Sequence, residues 1–504
     1  MNFFKGGDFI AICGLDIGTT GCKITVYNED GKFVFKAYED YPVARNTGEH
    51  EVKAELIWEA VKSVIIQATA KFPEIKGIGV TSFGETFVMT DENDTPILPS
   101  MLYTDPRGSV ECQELVEKLG ERNMARISGS KPHSMYSIPK LMWVKKNKPS
   151  DYNRVKHVFL MEDYIVYMLT GRRQIDYSLA SRTMAFDIRK LRWSREILEA
   201  AGVDEALLST PVPTGTSAGA IKESMAEMLG LNKDTIVVSI SHDQVAAAVG
   251  SSVFSANAAV DGAGTVECIT PVFDGIPDND VLFKGSYSIV PYVIQGKYVC
   301  YAFSFTGGAL INWYVDNLAI HEKSVAKETN SSVYQFIEKQ LKDEPTGIMV
   351  LPHFAGAATP YMDSGSKGAI VGLTLAHNSH DIYRAMMEGV VYEMLLNMEE
   401  LNKAGIRFEM LRATGGGANS GVWLQMKADV LNLPVISLGS SEAGATGSAM
   451  LTGIAAGVFM DLHSAAEIMV REMDTYYPRQ EKHEEYMKIF RRYRELYNSV
   501  RQLV

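Results

Sequence analysis

The stretch LDIGTTGCKITVYNEDGK, residues 15–32, decides the fold from near the start of the chain. An apolar run from Ile10 to Leu15 stops at DIGTTG, residues 16–21, and the alternating pattern from Lys23 to Tyr27 then predicts a second strand. After a turn signal at NEDG, a third strand is predicted from Lys32 to Tyr38. The chain therefore opens with an antiparallel meander whose first turn is rich in glycine and threonine.

Strands and helices alternate beyond this meander. Apolar residues have helical spacing from Glu55 to Lys71, and a strand pattern follows from Ile75 to Ser82, which together predict an α/β domain. A comparable start recurs in mid-chain, where a strand pattern spans Thr235 to Ile240. Ala258-Ala259-Val260 then leads into the turn DGAGT, residues 261–265. This repeat of strand, glycine/threonine turn and strand indicates two related domains.

The length of the chain supports the same division. Its 504 residues exceed the roughly 250–300 at which a single core stops growing. No proline-rich or low-complexity linker separates the halves, and we place the boundary near residue 250, with domains over 9–250 and 251–504.

Besides a helix from Val422 to Leu431, which follows the glycine turn at residues 415–420, three helices are predicted in the second half. The one from Ile382 to Met398 is mostly apolar and is expected to be buried, and the one from Gly444 to Gly457 consists of small residues. The charged tail from His483 to Leu503 is predicted to be a surface helix with one docked face.

Composition excludes several classes of function. The formal net charge of −12 argues against a nucleic acid or an acidic membrane as partner, because phosphate groups need clustered positive charge. The five cysteines form no CxxC pair, which disfavours disulfides and structural zinc and indicates a reducing, cytoplasmic location. We expect no signal peptide, and the longest nearly apolar run, Ser448 to Met460, is too short to span a membrane.

Glycine and threonine turns after strands are the candidate phosphate-binding features. The sequence contains neither G-x-x-x-x-G-K-S/T nor a complete G-x-G-x-x-G. Turns of this kind present backbone N–H groups, and threonine hydroxyls add donors, so they can bind an anion. Asp16 could hold Mg²⁺ directly or through water, and Lys23 could neutralise a transferring phosphoryl group. The alternative is that the turns are simple hairpins or, at residues 415–417, a helix entry.

Asp243 is the candidate catalytic carboxylate. It follows the strand predicted in mid-chain and precedes a small-residue helix from Val245 to Gly250. In an open α/β domain, ligands bind at such strand ends, and phosphoryl transfer needs a base that orients the acceptor hydroxyl and takes its proton. The alternative is that Asp243 only caps the next helix. We assign His242 to packing or orientation rather than to chemistry.

Ordered segments along nearly the whole chain resemble the FGGY family of carbohydrate kinases. The opening stretch resembles the first phosphate segment of that family, and further matching segments follow in the order of the family. These are MYSIPKLMWV (135–144), DYIVYMLTG (163–171), HDQVAAAVG (242–250), TGGALINW (306–313), GAIVGLTLAHNSHDIYRAMMEG (368–389) and GGGANSGVWLQMKADVLNLPV (415–435).

The resemblance implies two ribonuclease-H-like domains around a deep cleft, as in actin, with the sugar held mainly by the first domain and the nucleotide mainly by the second. Closure of the cleft would exclude water and bring the γ-phosphate to the sugar hydroxyl. The implied roles are Asp243 as base and Asp16 as ligand of the Mg²⁺ that accompanies ATP. The implied nucleotide contacts are Thr19, Thr20, Lys23, Gly264, Thr265, Gly308, Asn312, Gly416 and Ser420.

The sugar pocket is less uniform in its resemblance. VTSFGETFVMTD, residues 80–91, matches a substrate loop, but Gly84 stands where glycerol kinases have an arginine. The start of that loop and the His242-Asp243 pair are more similar to fuculose and rhamnulose kinases. The candidate substrate contacts are Glu85, Tyr103, Asp105, Tyr136 and Gln244. The alternatives are core packing for the two tyrosines and an internal ion pair of Asp105 with Arg107.

Together these features predict an ATP- and Mg²⁺-dependent kinase that phosphorylates a small ketose, either a pentulose or a deoxy-hexulose such as xylulose or fuculose. Glycerol or another polyol is the alternative acceptor. A non-kinase actin-like ATPase and a silent sugar-sensing relative are the other classes that we weigh. Similar proteins are commonly dimers, so a homodimer is a possible assembly.

Overall fold

A computed structural model describes residues 9–440 and 442–504 of the chain. Its contacts divide the chain into two compact units. The first unit comprises the chain up to Ser252 together with Ile289–Val299 and Ala443–Val470, and the second comprises Val253–Ser288, Cys300–Glu442 and Arg471–Val504. The first break therefore falls near the predicted boundary, and two later segments return to the first unit.

The strands are β1 (Ala11–Ile17), β2 (Gly21–Asn28), β3 (Phe33–Asp40), β4 (Ala44–Asn46), β5 (Glu49–Val52), β6 (Ile75–Ser82), β7 (Phe87–Thr90), β8 (Ser100–Met101), β9 (His157–Leu160), β10 (Gln174–Asp176), β11 (Phe186–Asp187), β12 (Arg192–Trp193), β13 (Thr210–Val212), β14 (Thr216–Ala220), β15 (Ile236–His242), β16 (Ala258–Ala263), β17 (Glu267–Asp274), β18 (Ile289–Pro291), β19 (Lys297–Cys300), β20 (Ala302–Ser304), β21 (Met349–Leu351), β22 (Ala369–Val371), β23 (Met410–Thr414), β24 (Val435–Leu438) and β25 (Glu472–Tyr476).

The helices are α1 (Ala54–Thr69), α2 (Ser109–Leu119), α3 (Glu121–Ser128), α4 (Ser137–Asn147), α5 (Pro149–Tyr152), α6 (Met161–Thr170), α7 (Tyr177–Ser181), α8 (Arg195–Ala201), α9 (Glu223–Leu229), α10 (Asp243–Gly250), α11 (Val281–Lys284), α12 (Gly308–Leu318), α13 (Ile320–Glu328), α14 (Val333–Glu338), α15 (Ser379–Lys403), α16 (Gly421–Leu431), α17 (Ala443–Ala455), α18 (Leu462–Met469), α19 (Gln480–Tyr493) and α20 (Leu496–Arg501). Short 3-10 helices span Glu205–Leu207 and Gly416–Asn419.

The main sheet of the first unit has the order β3–β2–β1–β6–β15–β14. β1, β2 and β3 form the predicted antiparallel meander, while β1 pairs with β6, and β6 with β15, in parallel. β1 extends beyond its predicted end at Leu15, because Asp16 and Ile17 remain paired with Lys23 and Cys22 of β2. Asp16 therefore lies near the C-terminal end of β1, directly before the first glycine/threonine turn.

A second sheet repeats this arrangement, with the strand order β18–β19–β17–β16–β23–β24–β25 and with β20 also paired to β17. β16 pairs antiparallel with β17 and parallel with β23, and the edge strand β25 runs antiparallel to β24, as β14 does to β15. The predicted pair of related α/β domains, each with the ribonuclease-H-like order of strands, is confirmed.

Small residues bring two helices of the first unit into close contact. A Cβ atom built on Gly250 of α10 would lie 1.9 Å from the Ala443 carbonyl oxygen, and one on Gly447 of α17 would lie 1.9 Å from the Ala246 carbonyl oxygen. α17 also packs against β1, where a Cβ on Gly14 would lie 2.8 Å from the Ala445 carbonyl oxygen. The predicted small-residue helix is confirmed, and its composition follows from this close backbone approach.

The other two helix predictions are also tested. The predicted buried helix is α15, and Val390, Val391 and Met394 lie inside the second unit. The predicted tail helix is divided into α19 and α20 by a bend after Tyr493, which allows Leu496 and Val500 to be buried in turn. In the described part of the chain, no helix is both long and apolar enough to cross a bilayer.

Candidate active site

The turn between β1 and β2 forms the first predicted phosphate segment. Lys23 Nζ lies 3.5 Å from Asp16 Oδ2, across the antiparallel pair that flanks the turn. Tyr41 fixes the turn through two hydrogen bonds. Its hydroxyl donates to the Gly18 carbonyl, and its N–H donates to the Thr20 carbonyl at 3.1 Å. Thr19 is partly exposed and Thr20 is exposed. A fixed backbone thus carries one carboxylate, one ammonium and two accessible hydroxyls.

Asp243 is the first residue of α10 and directly follows β15. Enclosure by the surrounding protein raises the pKa of its carboxyl to about 6, while hydrogen bonds from Gln244 and the charge of Arg182 act to lower it. His242 Nδ1 lies 3.2 Å from Asp243 Oδ1, and burial lowers the pKa of that imidazole to about 3, so the ring is neutral. Since 44% of the Asp243 side chain is exposed, a substrate can reach it.

Glu85 lies in the same part of the first unit and is held in an unusual conformation. Its φ angle of 63° is in the left-handed region, which non-glycine residues seldom adopt outside functional or constrained positions. Ser137 Oγ donates to the Glu85 carbonyl at 2.6 Å, and Arg182 Nε donates to Glu85 Oε1 at 2.6 Å. The Arg182 guanidinium stacks over the Tyr136 ring, with its central carbon 5.2 Å from the ring centroid.

Tyr103 connects Glu85 with Asp243. Burial raises the pKa of the Tyr103 hydroxyl, and the negative charges of Glu85 and Asp243 raise it further, so both carboxylates lie near this ring. The ring is 41% exposed and so presents an open aromatic face. The structure thus brings Glu85, Tyr103, Tyr136, Asp243 and Gln244 into one region of the first unit.

Asp105 is occupied by protein donors. Its Oδ1 accepts from Arg107 Nε at 2.9 Å, and its Oδ2 accepts from Arg107 Nη2 at 2.6 Å and from the His50 N–H at 2.7 Å. The internal ion pair, one of the two alternatives that the sequence leaves open, is therefore formed. Asp105 is 1% exposed, which favours a supporting role for this carboxylate.

A cavity of about 530 Å³ in the second unit collects the predicted nucleotide residues of that unit. Ile311, Tyr334, Glu338, Tyr383 and Trp423 provide its apolar and polar walls. The six predicted residues that line it are Gly264, Thr265, Gly308, Asn312, Gly416 and Ser420. Residues from five separate segments of the sequence thus meet at one concave site of the size that small ligands use.

Gly308, which lines this cavity, and Gly415, which precedes its lining residue Gly416, are required by close backbone contacts. A Cβ on Gly308 would lie 2.7 Å from the Gly264 carbonyl oxygen, whose hydrogen-bond partner is the Gly308 N–H at 2.8 Å. Gly415 has a φ of 88°, and a Cβ there would lie 2.6 Å from the Ala263 carbonyl oxygen. The glycine turns therefore pack closely against each other, which a side chain at either position would prevent.

Polar side chains also line the cavity of the second unit. The Tyr334 hydroxyl donates to Asn312 Oδ1 at 2.8 Å, and Ser420 Oγ caps α16 by accepting from the Trp423 N–H at 3.1 Å. Burial raises the pKa of the Glu338 carboxyl, while a hydrogen bond from Ser420 acts to lower it. This half-buried carboxylate beside aromatic rings suits a ligand that combines a flat ring with hydrogen-bond donors.

Family models match both halves of the chain. The N-terminal domain of the FGGY family of carbohydrate kinases matches residues 11–250, and the C-terminal domain matches residues 284–456. The chain belongs to this family. It is therefore a phosphotransferase with an alcohol group as acceptor, and carbohydrate kinases use ATP as the phosphate donor. Membership separates this carbohydrate kinase from actin-like ATPases of other classes.

Relatives of this kinase act on different acceptors. It is 25% identical over 497 residues to the xylulose kinase of Bacillus subtilis, covering 98% of this chain and 97% of the relative. It is 26% identical over 492 residues to the gluconokinase of Bacillus subtilis, with 94% and 93% covered. It is 28% identical over 471 residues to the glycerol kinase of Pseudothermotoga lettingae, with 89% and 90% covered.

Solved structures share the fold of the kinase. The ligand-bound xylulose kinase from Lactobacillus acidophilus has a TM-score of 0.87 and 23% identity, and the match covers 97% of this chain and 98% of that one. The gluconate kinase from the same organism has a TM-score of 0.87 and 23% identity, with 98% of both chains covered. At these identities the likeness shows the fold alone.

Three residues that sequence reasoning missed belong to these sites. Arg182 pairs with Glu85, and Glu338 lines the cavity of the second unit. Lys427 is buried, and its ammonium donates to Asp261 at 2.6 Å and to Glu267, two residues that flank the turn with Gly264 and Thr265. Lys427 and Glu338 lie in stretches with unremarkable helical patterns, and Arg182 follows a five-residue helix, so no local signal points to them.

The donor groups present are compatible with a nucleotide-bound Mg²⁺. Within residues 9–440 and 442–504, no group of three or more His, Cys, Asp and Glu could hold a metal ion by itself. Mg²⁺ is commonly bound through one or two carboxylates with substrate phosphates and water completing its shell. Asp16, a partly exposed carboxylate at the phosphate turn, fits that role.

Proposed function

We propose that this carbohydrate kinase transfers the γ-phosphoryl group of MgATP to a hydroxyl of a ketose, a pentulose or deoxy-hexulose such as xylulose or fuculose. The observation that carries the proposal is Asp243. Its carboxylate lies at a strand end, is reachable by a ligand and has a pKa raised to about 6, close to the pH at which a base must work. Similarity to xylulose kinases supports the ketose as first choice of acceptor.

In the proposed reaction, Asp243 accepts a hydrogen bond from the acceptor hydroxyl and takes its proton as the new bond forms. The acceptor oxygen bonds to the γ-phosphorus, the bond from that phosphorus to the β,γ-bridging oxygen breaks, and ADP leaves with the electron pair. Gln244 hydrogen-bonds the Asp243 carboxylate and fixes its orientation. Tyr103, which is 41% exposed, provides an aromatic wall for the carbon chain, and Glu85 accepts from further hydroxyls. Tyr136 is 3% exposed beneath the Arg182 guanidinium, so it supports the site by packing rather than by substrate contact.

On the donor side, we propose that the backbone N–H groups of the two glycine/threonine turns and the hydroxyls of Thr19, Thr20 and Thr265 bind the phosphates. Lys23 stabilises the charge of the transferring group. Asp16 holds Mg²⁺, which when bound neutralises phosphate charge and aligns the β- and γ-phosphates. The nucleoside lies in the cavity of the second unit, in contact with Gly308, Asn312, Gly416 and Ser420, all of which line that cavity.

The same distribution supports a division of labour between the domains proposed over 9–250 and 251–504. The candidate acceptor residues all belong to the first unit, and the cavity belongs to the second. We also propose a reducing, cytoplasmic location, which the five buried free cysteines support. The proposed partners are small molecules. A homodimer is proposed only because similar proteins are commonly dimers.

Glycerol or another polyol is the second candidate acceptor. Glu85-Thr86 matches the glycerol kinases, and a glycerol kinase is among the relatives. Gly84 is the observation against it, because this position lacks the arginine that glycerol kinases carry before their glutamate.

The decisive experiment is Asp243→Asn in an assay that couples ADP release to a panel of ketoses, aldonates and polyols. We expect kcat for the best acceptor to fall by about 100- to 10,000-fold, the usual contribution of a general base. ATP affinity, measured by equilibrium binding, should change little, because the variant keeps the shape of the side chain and does not touch the cavity of the second unit.

Asp461→Asn is the matched control, since Asp461 also begins a helix, as the cap of α18, but far from the acceptor residues in the sequence. It should retain full kinase activity. Appreciable activity of Asp243→Asn would rule out Asp243 as base. Acceptor-independent ADP release by the wild type would contradict the proposed kinase reaction.

A further inference from the structure

Gly84 leaves a space that Arg182 fills. A Cβ built on Gly84 would lie 2.9 Å from Arg182 Cγ and 3.1 Å from Arg182 Cβ. Such contacts are too short for two side chains, so a side chain at position 84 and the observed position of Arg182 exclude each other. From this space the guanidinium reaches Glu85, to whose Oε1 both Nε, at 2.6 Å, and Nη2 donate.

The end of α7 fixes the position of Arg182. Asp176 caps this helix by accepting from the N–H groups of Ser178 and Leu179, at 2.9 Å each. Ser178 Oγ in turn accepts from the His242 N–H at 2.8 Å. Arg182 is the residue that follows α7, so the element that carries it is tied to the residue just before Asp243.

The pair faces the candidate base. A Cβ built on Gly84 would also lie 3.2 Å from His242 Cδ2, and His242 Nδ1 lies 3.2 Å from Asp243 Oδ1, so the space that Arg182 fills adjoins the candidate base. Within this group of side chains, two carboxylates therefore face one guanidinium, because the His242 ring is neutral. Nε and Nη2 of Arg182 both donate to Glu85 Oε1, so neither of these two bonds involves Oε2.

Two further cations act on the same region. The Lys140 ammonium donates to the carbonyls of Ser134 at 2.8 Å and Met135 at 3.1 Å, and burial lowers its pKa to about 8. The positive charge of Arg45, on the exposed strand β4, acts to lower the pKa of the Tyr103 hydroxyl. Within the described residues, neither Lys140 nor Arg45 forms an ion pair with Glu85 or Asp243, so Arg182 is the cation bonded directly to Glu85.

We propose that the Arg182–Glu85 pair selects neutral polyhydroxylated acceptors over acidic sugars, with Arg182 as the residue that positions Glu85. The inference rests on the proposed kinase function and on Asp243 as base. A neutral acceptor donates hydroxyl hydrogen bonds to Glu85 and Asp243. The carboxylate of an aldonate meets two like charges, because the one guanidinium is already neutralised by Glu85.

The first test measures kcat/KM for a neutral ketose and for an aldonate of similar length with wild type and Glu85→Gln. We expect the wild type to prefer the ketose by about 100-fold or more, since like-charge contacts carry a large penalty. Glu85→Gln removes one negative charge and leaves the Arg182 charge for the substrate. The ratio of the two kcat/KM values should therefore fall by about tenfold or more in favour of the aldonate.

The second test concerns Arg182. Arg182→Met should lower kcat/KM for the ketose by about 100-fold, the scale for a misplaced binding group, while KM for ATP stays within twofold. Arg182→Lys keeps the charge but not the two-donor geometry, and it should recover part of the loss. Glu388→Gln is the matched control, because Glu388 is also a buried carboxylate paired with an arginine, Arg384, at 3.2 Å. It should lower stability without changing the acceptor ratio.

The outcomes separate this inference from the proposed function. If the wild type shows no acceptor-dependent ADP release, both the selection by charge and the proposed kinase function are wrong. A wild type that prefers aldonates, or an acceptor ratio unchanged by Glu85→Gln, would overturn the selection by charge while leaving the kinase reaction intact. An Arg182→Lys variant no better than Arg182→Met would overturn the positioning role. If Arg182→Met does not fold, as judged by circular dichroism, the Glu85→Gln ratio still decides the proposal.

Discussion

Asp243 governs the expected pH dependence at the scale of single residues. Enclosure raises the pKa of its carboxyl to about 6, and only the deprotonated form can accept a proton from the acceptor. We therefore expect kcat/KM for the acceptor to fall as pH drops through about 6 and to be nearly constant between about 7 and 8. His242 should add no step in this range, since the pKa of its imidazole is lowered to about 3.

The profile should be recorded at saturating ATP, with KM for ATP measured at each pH to separate ionisation of the donor from that of Asp243. The groups that face this carboxylate are Arg182, His242, Glu85 and Tyr103. A rate that stays constant from pH 8 to 5 would contradict Asp243 as the base. A rate that increases as pH falls would contradict it as well.

At the scale of elements, the close contact of α10 with α17 positions Asp243, the proposed base. Gly447→Ala would place a methyl group against the Ala246 carbonyl, where a Cβ would lie only 1.9 Å from the oxygen. A backbone carbonyl cannot rotate away as a side chain can, so α10 must shift. We expect a loss of about 1–3 kcal/mol in the free energy of unfolding, typical of overpacking, together with a lower kcat because Asp243 begins α10.

Gly444→Ala, in the same helix, is the matched control for this substitution. The nearest atom to its Cβ would be the Asp243 carbonyl oxygen at an ordinary 3.8 Å. This variant should be neutral or more stable by up to about 1 kcal/mol, because alanine favours helix over glycine. Chemical denaturation and kcat of both variants, measured side by side, check the prediction. Equal stabilities of the two variants would show that the helix contact does not carry the proposed constraint.

At the scale of the whole molecule, the first unit needs a segment from late in the chain. α17 packs on β1, β6 and α10, so residues 1–252 alone would expose the apolar surface that α17 covers. We expect this fragment to aggregate or to lack a cooperative unfolding transition. A fusion of residues 1–252 to 443–470 should be soluble and unfold cooperatively. A short glycine/serine linker suffices, because Gly250 lies in contact with Ala443.

Solubility, near-ultraviolet circular dichroism and denaturant titration of the two fragments provide the measurement. A third fragment, with residues 443–470 replaced by a glycine/serine chain of equal length, controls for the added length. Cooperative folding of residues 1–252 alone would contradict the requirement for α17 and would support the simpler boundary near residue 250.

Much of the fold and part of the candidate site could be predicted from the sequence. The meander from β1 to β3 and the repeated glycine/threonine turn follow from local patterns, because strand alternation and turn chemistry act over a few residues. The ordered family segments predicted six nucleotide-contacting residues, among them Thr265 and Ser420, and all six line the cavity of the second unit. Asp243 was likewise identified from its place after a strand, although its role remains a proposal.

Tertiary structure decided what depends on residues far apart in the chain. Arg182 and Glu85 are 97 positions apart, and Lys427 and Asp261 are 166 apart, so their ion pairs have no local pattern. The small residues of α17 predicted close packing but not its partner, which is the sheet of the first unit. Local chemistry thus determined the strands and turns, and with the family segments it proposed a base. The burial of complementary charges and surfaces determined which distant residues lie beside them.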